Sequence, residues 1–78
     1  MNIHPNPTND VINIAIGNIS SNIDIVIYNS VGQMVYFKSD TAENGYNAVI
    51  SLSELSNGTY ILQVRSDESV WINKIIKR

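Results

Sequence analysis

The sequence has no cysteine, one histidine, one tryptophan, two prolines and four glycines. Without cysteine there is no disulfide framework and no thiolate metal site, although this leaves the compartment open. The one histidine, His4, stands beside Pro5, and no second histidine or cysteine exists to complete a nucleophile–base pair or a transition-metal site. A lone histidine near a chain end reads as a solvated residue. Neither G-x-x-x-x-G-K-[ST] nor G-x-G-x-x-G occurs, so no phosphate cradle is expected. The seven carboxylates are scattered, with no spacing that suggests a glycosidase pair. The chain by itself does not read as an enzyme, and no cofactor is expected.

Charge is also scarce. Charged residues make up 15% and the formal net charge is −2, so the basic footprint of a nucleic-acid binder is missing. No run approaches the ~18 apolar residues of a transmembrane helix. Met1-Asn2-Ile3-His4-Pro5 lacks the basic start and apolar run of a signal peptide. If the natural protein is exported, its leader is expected outside these residues.

What is present points one way. Ile and Val supply 20 of the 78 residues, whereas Leu and Ala supply 3 each. β-Branched side chains are stiff at χ1 and fit a pleated surface. Asn occurs 11 times and Ser 9 times, and both form turns through bonds to nearby backbone. Six stretches alternate with period two. Val11–Ile16 places Ile12, Ile14 and Ile16 on one face, and Asn22–Asn29 places Ile23, Ile25 and Ile27 on one face. Gln33–Lys38 is shorter and its faces are ambiguous. Tyr46–Leu52 aligns Tyr46, Ala48, Ile50 and Leu52, and Thr59–Arg65 aligns Tyr60, Leu62 and Val64. Val70–Lys77 sets Val70, Ile72, Lys74 and Ile76 against Trp71, Asn73, Ile75 and Lys77. Met1–His4 is a brief candidate seventh strand, with Pro5 and Pro7 confining it to an edge or to the outside of the sheet.

Turn-rich segments separate these runs, among them Asn29-Ser30, Ser56-Asn57-Gly58 and Ser66-Asp67-Glu68-Ser69. Asn44-Gly45 is expected to close a longer polar connection that begins near Ser39. Short strands every ten residues or so, with no helical period, predict an all-β fold: a small β-sandwich of six to seven antiparallel strands. The chain is a single domain spanning 1–78. Trp71, Tyr28 and Tyr36 are the aromatics that could share an exposed platform, but packing at a core edge is the preferred reading.

Four ordered pieces then stand in register. Pro5-Asn6-Pro7 precedes the first isoleucine strand, and Ile25-Val26-Ile27-Tyr28-Asn29-Ser30-Val31-Gly32 follows. Leu55-Ser56-Asn57-Gly58-Thr59-Tyr60 comes next, and Lys74-Ile75-Ile76-Lys77-Arg78 ends the chain. Together they resemble the C-terminal sorting domain of the type IX (Por) secretion system, along essentially the whole chain. The resemblance implies an immunoglobulin-like sandwich at the end of a secreted cargo protein, so these 78 residues would be a fragment of it. It implies passage through the periplasm to the outer-membrane surface or the medium. The implied partners are an outer-membrane translocon, a sortase-like peptidase and the upstream cargo. The candidate sorting residues carried over are Pro5, Asn6, Pro7, Gly32, Gly58, Tyr60, Lys74 and Lys77.

Each candidate also has a plain structural reading. The prolines guard an edge, Gly32 serves a turn with positive φ, and Gly58 with Tyr60 makes a turn and a core aromatic. The basic ending is not demanded by folding, and Lys77 and Arg78 are expected to be solvated at the chain end. The alternative function is a carbohydrate- or protein-binding module appended to a secreted enzyme. Ile-rich strands with few charges further suggest edge-to-edge self-association of the isolated domain.

Overall fold

The computed structural model describes residues 2–4 and 10–78. Among the described residues seven strands run in chain order: β1 (Asn2–His4), β2 (Val11–Ile16), β3 (Ser21–Tyr28), β4 (Met34–Ala42), β5 (Tyr46–Ser51), β6 (Gly58–Arg65) and β7 (Val70–Lys77). They form two antiparallel sheets, ordered β1-β2-β5 and β4-β3-β6-β7. The connections β2–β3, β4–β5 and β5–β6 pass from one sheet to the other, as in an immunoglobulin-like sandwich.

The isoleucine alternation decides which faces meet. Ile12, Ile14 and Ile16 lie opposite Ile50, Ala48 and Tyr46 across the β2–β5 ladder. Ile23, Ile25 and Ile27 of β3, with Leu62 and Val64 of β6, turn toward them from the other sheet. Ten side chains in this layer, Ile25 and Leu62 among them, are almost completely buried. Each such burial is worth about 1.5–3 kcal/mol relative to exposure. Leu52, just past the end of β5, and Ile75, opposite Tyr60 in the β6–β7 ladder, close the core at its margins. Trp71 and Tyr36 pack against its margins from the two edge strands β7 and β4.

One expectation is corrected. The stretch expected over Gln33–Lys38 is β4, which does not stop at Lys38 but continues to Ala42, so Asn44-Gly45 closes a short connection rather than a long one. Ser39, Asp40 and Thr41 look like turn residues but pair with Asp24, Ile23 and Asn22. Polar cross-strand bonds hold them there: Ser39 Oγ donates to Asp24 Oδ1 at 2.7 Å, and the Tyr46 hydroxyl donates to Asp40 Oδ2 at 3.0 Å. The preferred reading of the aromatics, packing at a core edge rather than a shared platform, holds for Trp71 and Tyr36. Trp71 and Tyr36 lie on the core side of opposite edge strands, whereas Tyr28 lies on the outer face of β3.

Gly45 shows why a glycine is needed in that short connection. Its φ is +117°, and a Cβ there would sit 3.2 Å from the Ile16 carbonyl oxygen. Its N–H donates to the Ile19 carbonyl at 2.8 Å, which ties the β4–β5 and β2–β3 connections together.

Candidate recognition pole

The strand directions give the sandwich two distinct ends. β3 runs toward the β3–β4 turn, and Tyr28 lies opposite Ile61 near the start of β6. Gly58 lies directly opposite Lys77 in the β6–β7 ladder. In the other sheet, Val11 lies opposite Ser51, where β5 leads into the β5–β6 connection. The β3–β4 turn, the β5–β6 connection and the end of β7 therefore share one pole. Asn2, opposite Ala15 near the end of β2, lies toward the other.

The β3–β4 turn is built by Asn29. Its Oδ1 accepts the N–H groups of Val31 at 3.1 Å and Gln33 at 2.9 Å, and its own carbonyl accepts Gly32 N–H at 3.0 Å. A side-chain acceptor that replaces a ladder bond is the usual way asparagine starts a turn. Gly32 completes the reversal with φ +87°, the left-handed region that glycine enters without Cβ strain. The turn holds Val31 and Gly32 out into solvent.

The β5–β6 connection is anchored twice. Leu55 N–H donates to the Leu52 carbonyl at 3.0 Å, and both leucines point into the core, Leu52 fully and Leu55 partly. The Tyr60 ring is buried, and its hydroxyl donates to the Ser56 carbonyl at 2.6 Å. This is the tyrosine corner of immunoglobulin-like domains, placed where the chain crosses into the second sheet. The connection is thus held at Leu55 by the Leu52 carbonyl and at Ser56 by the Tyr60 hydroxyl.

The basic ending divides. Lys74 is exposed on the outer face of β7, opposite Ile61. Lys77 is only 8% exposed and lies on the core-facing side with Ile75, so the expectation that it is solvated is corrected. Lysine can occupy such a place because its four-carbon stem is apolar while the ammonium reaches outward. No described side-chain nitrogen or oxygen is buried without a partner. A lysine on an edge strand also discourages pairing with another chain. Arg78 remains exposed.

Of the sequence-derived candidates, the structure gathers Gly32, Gly58, Tyr60 and Lys77 at this pole and leaves Lys74 part-way along the sheet. Pro5, Asn6 and Pro7 lie outside the described residues. Asn29 and the Ser56 carbonyl are the contributors the sequence reading missed. An Asn three residues before a glycine was the available signal for the first.

Among the described residues no group of three or more His, Asp or Glu is placed to hold a metal ion. The strongest titration effects lie near the other pole. The carboxyl of Asp40 is held below its ordinary pKa, first by the Thr41 N–H and then by the Tyr46 hydroxyl. Burial, helped by the same bond, pushes Tyr46 up to about 12. This pair links β4 to β5 and carries no reactive group in an unusual protonation state at neutral pH.

A family model described as a secretion system C-terminal sorting domain matches residues 2–78. A search of curated proteins finds no match.

Proposed function

The chain belongs to the type IX secretion C-terminal sorting domain family, and from this premise we propose that its recognition surface is the pole formed by the β3–β4 turn, the tyrosine corner and the end of β7. Domains of this family are sorting signals rather than catalysts; they send the protein that carries them to the cell surface or the medium and engage the type IX machinery. The finer reading is that residues 1–78 form one such domain at the end of a larger secreted protein. An outer-membrane translocon reads the domain, and a sortase-like peptidase removes it from its cargo.

One observation supports this placement above the others: Gly58 lies directly opposite Lys77, with the Gly32 turn on the neighbouring hairpin at the same end. Motif residues separated by 45 positions along the chain thus come to one end of the sandwich, while β1 starts toward the other end. Pro5, Asn6 and Pro7 belong to the family's entry motif by resemblance. Several residues of the signal act by making the shape: Tyr60 is buried, and Gly32 supplies a backbone conformation.

Fusion of residues 1–78 to the C-terminus of a reporter with its own export leader tests the function. In a host with the type IX machinery the reporter is expected at the surface or in the medium. In the same host without the translocon it is expected in the periplasm. Equal retention in both hosts overturns the reading.

A further inference from the structure

The outward face of the four-stranded sheet carries an apolar surface that the sorting reading does not use. Three cross-strand rows define it: Met34–Tyr28–Ile61–Lys74, Phe37–Val26–Gln63–Ile72 and Ser39–Asp24–Arg65–Val70. Met34, Phe37, Val70 and Ile72 are each more than half exposed, and Ile61 is 37% exposed. Val26, at the centre, is only 7% exposed although it faces away from the core, because its neighbours in the rows cover it. Contiguous exposed apolar surface of this kind marks an interaction site on a soluble domain.

The rows are self-complementary. Their midline runs between β3 and β6, and Asp24 and Arg65 face each other across it. Among the described residues these two form no ion pair with each other. A two-fold axis parallel to the strands and through this midline lays β4 over the partner copy's β7 and β3 over its β6. Phe37 then meets Ile72 of the partner, Tyr28 meets Ile61, and Asp24 meets Arg65, each contact occurring twice. Such an isologous arrangement requires the same patch to match itself in charge and shape. The occupant with a stated reason to fit is therefore a second copy of this chain.

We propose that two copies associate face to face through this sheet, with Asp24 and Arg65 setting the register. Four strands at ~4.8 Å spacing and about seven residues at ~3.3 Å rise give a face of roughly 19 by 23 Å. Two apposed faces remove on the order of 800–1,000 Å², the low end for specific contacts, so the dimer is weak. Edge pairing between strands is a different arrangement and leaves this face open.

Sedimentation equilibrium of the 78-residue chain at low salt tests the proposal. The mean mass is expected to rise from one chain toward two between ~10 µM and ~1 mM. Asp24→Arg alone and Arg65→Asp alone each place like charges in contact and are expected to weaken association at least tenfold. An equimolar mixture of the two variants recreates both opposite-charge contacts and is expected to restore the dimer, which also shows that both variants are folded. A wild-type chain that stays monomeric at ~1 mM overturns the proposal. So does a dimer unaffected by both single changes, which assigns association to strand edges, or two monomeric variants whose mixture fails to associate.

Discussion

The Tyr60 hydroxyl donates a 2.6 Å hydrogen bond to the carbonyl of Ser56, four residues before it. That bond turns the Leu55–Tyr60 element from a string of residues into a fixed crossing between the two sheets. Tyr60→Phe keeps the buried ring and removes only the bond, so it is expected to cost about 0.5–1.5 kcal/mol in urea unfolding. Tyr60→Ala also removes the ring from the core and is expected to cost about 3–5 kcal/mol. If the two variants lose the same amount, the corner is a hydrogen-bond device and its ring is incidental.

Gly32 is expected to tolerate neither Ala nor Val, although its surroundings are open. A Cβ there meets nothing within 4 Å, so any loss comes from the backbone alone, with φ at +87°. The left-handed region costs roughly 1–2 kcal/mol for a residue with a Cβ, and a β-branched side chain is strained further. Gly32→Asn should lose less than Gly32→Ala, because asparagine enters this region more readily. Thermal melts ranking Asn below Ala would contradict the assignment of strain to φ.

Ile25 lies in the middle of β3, fully buried and opposite Val64. Ile25→Ala is expected to cost about 2–5 kcal/mol through lost burial and the cavity left behind. Against a total stability of about 5–15 kcal/mol that is a large share. A loss below ~0.5 kcal/mol would mean that the isoleucine face is not the core.

Alkaline conditions single out Tyr46. In the unfolded chain a tyrosine has a pKa near 10, whereas burial and the bond to Asp40 hold Tyr46 at about 12 in the folded state. Between these values the folded state keeps a proton that the unfolded state has lost, so stability falls as pH rises. The Tyr46 contribution is therefore complete below pH ~10 and is lost as pH rises toward ~12. Unfolding free energies measured across that window are expected to decline less steeply in Tyr46→Phe than in the wild-type chain. Asp40 acts in the other direction: its pKa is depressed, so its stabilisation is present above the ordinary carboxylate range and lost as pH falls below it. Equal alkaline slopes in the two proteins would contradict the Tyr46 assignment.

Much of the sandwich was legible because isoleucine alternation is a direct record of which face is buried. Ile12, Ile14, Ile16, Ile23, Ile25 and Ile27 all lie where period two puts them. The length of β4 was not legible. Ser39, Asp40 and Thr41 have turn-forming side chains, and only their bonds to Asp24, Tyr46 and Asn22 across strands show why they extend. The burial of Lys77 was hidden for a related reason: charge argues for solvent, while an apolar stem on an alternating strand argues for the core side. The pole itself could not be read from sequence. Gly32, Gly58 and Lys77 become neighbours in space only through the order β4-β3-β6-β7.

The most direct test of the account separates folding from recognition at the two ends of the sandwich. Lys77 is unsuitable because it is buried, so the informative changes are Val31→Asp and deletion of Arg78, both exposed at the proposed recognition pole. Asp67→Ala with Glu68→Ala, in the β6–β7 turn at the opposite end, serves as the control. Exposed substitutions of this kind usually change stability by no more than about 0.5 kcal/mol, so all variants should melt close to wild type. The measurement is the fraction of a fused reporter that reaches the surface or medium of a host with the type IX machinery. The account predicts periplasmic retention for the Val31 and Arg78 variants and normal export for the control. Normal export of both pole variants, or retention of the control alone, would contradict it.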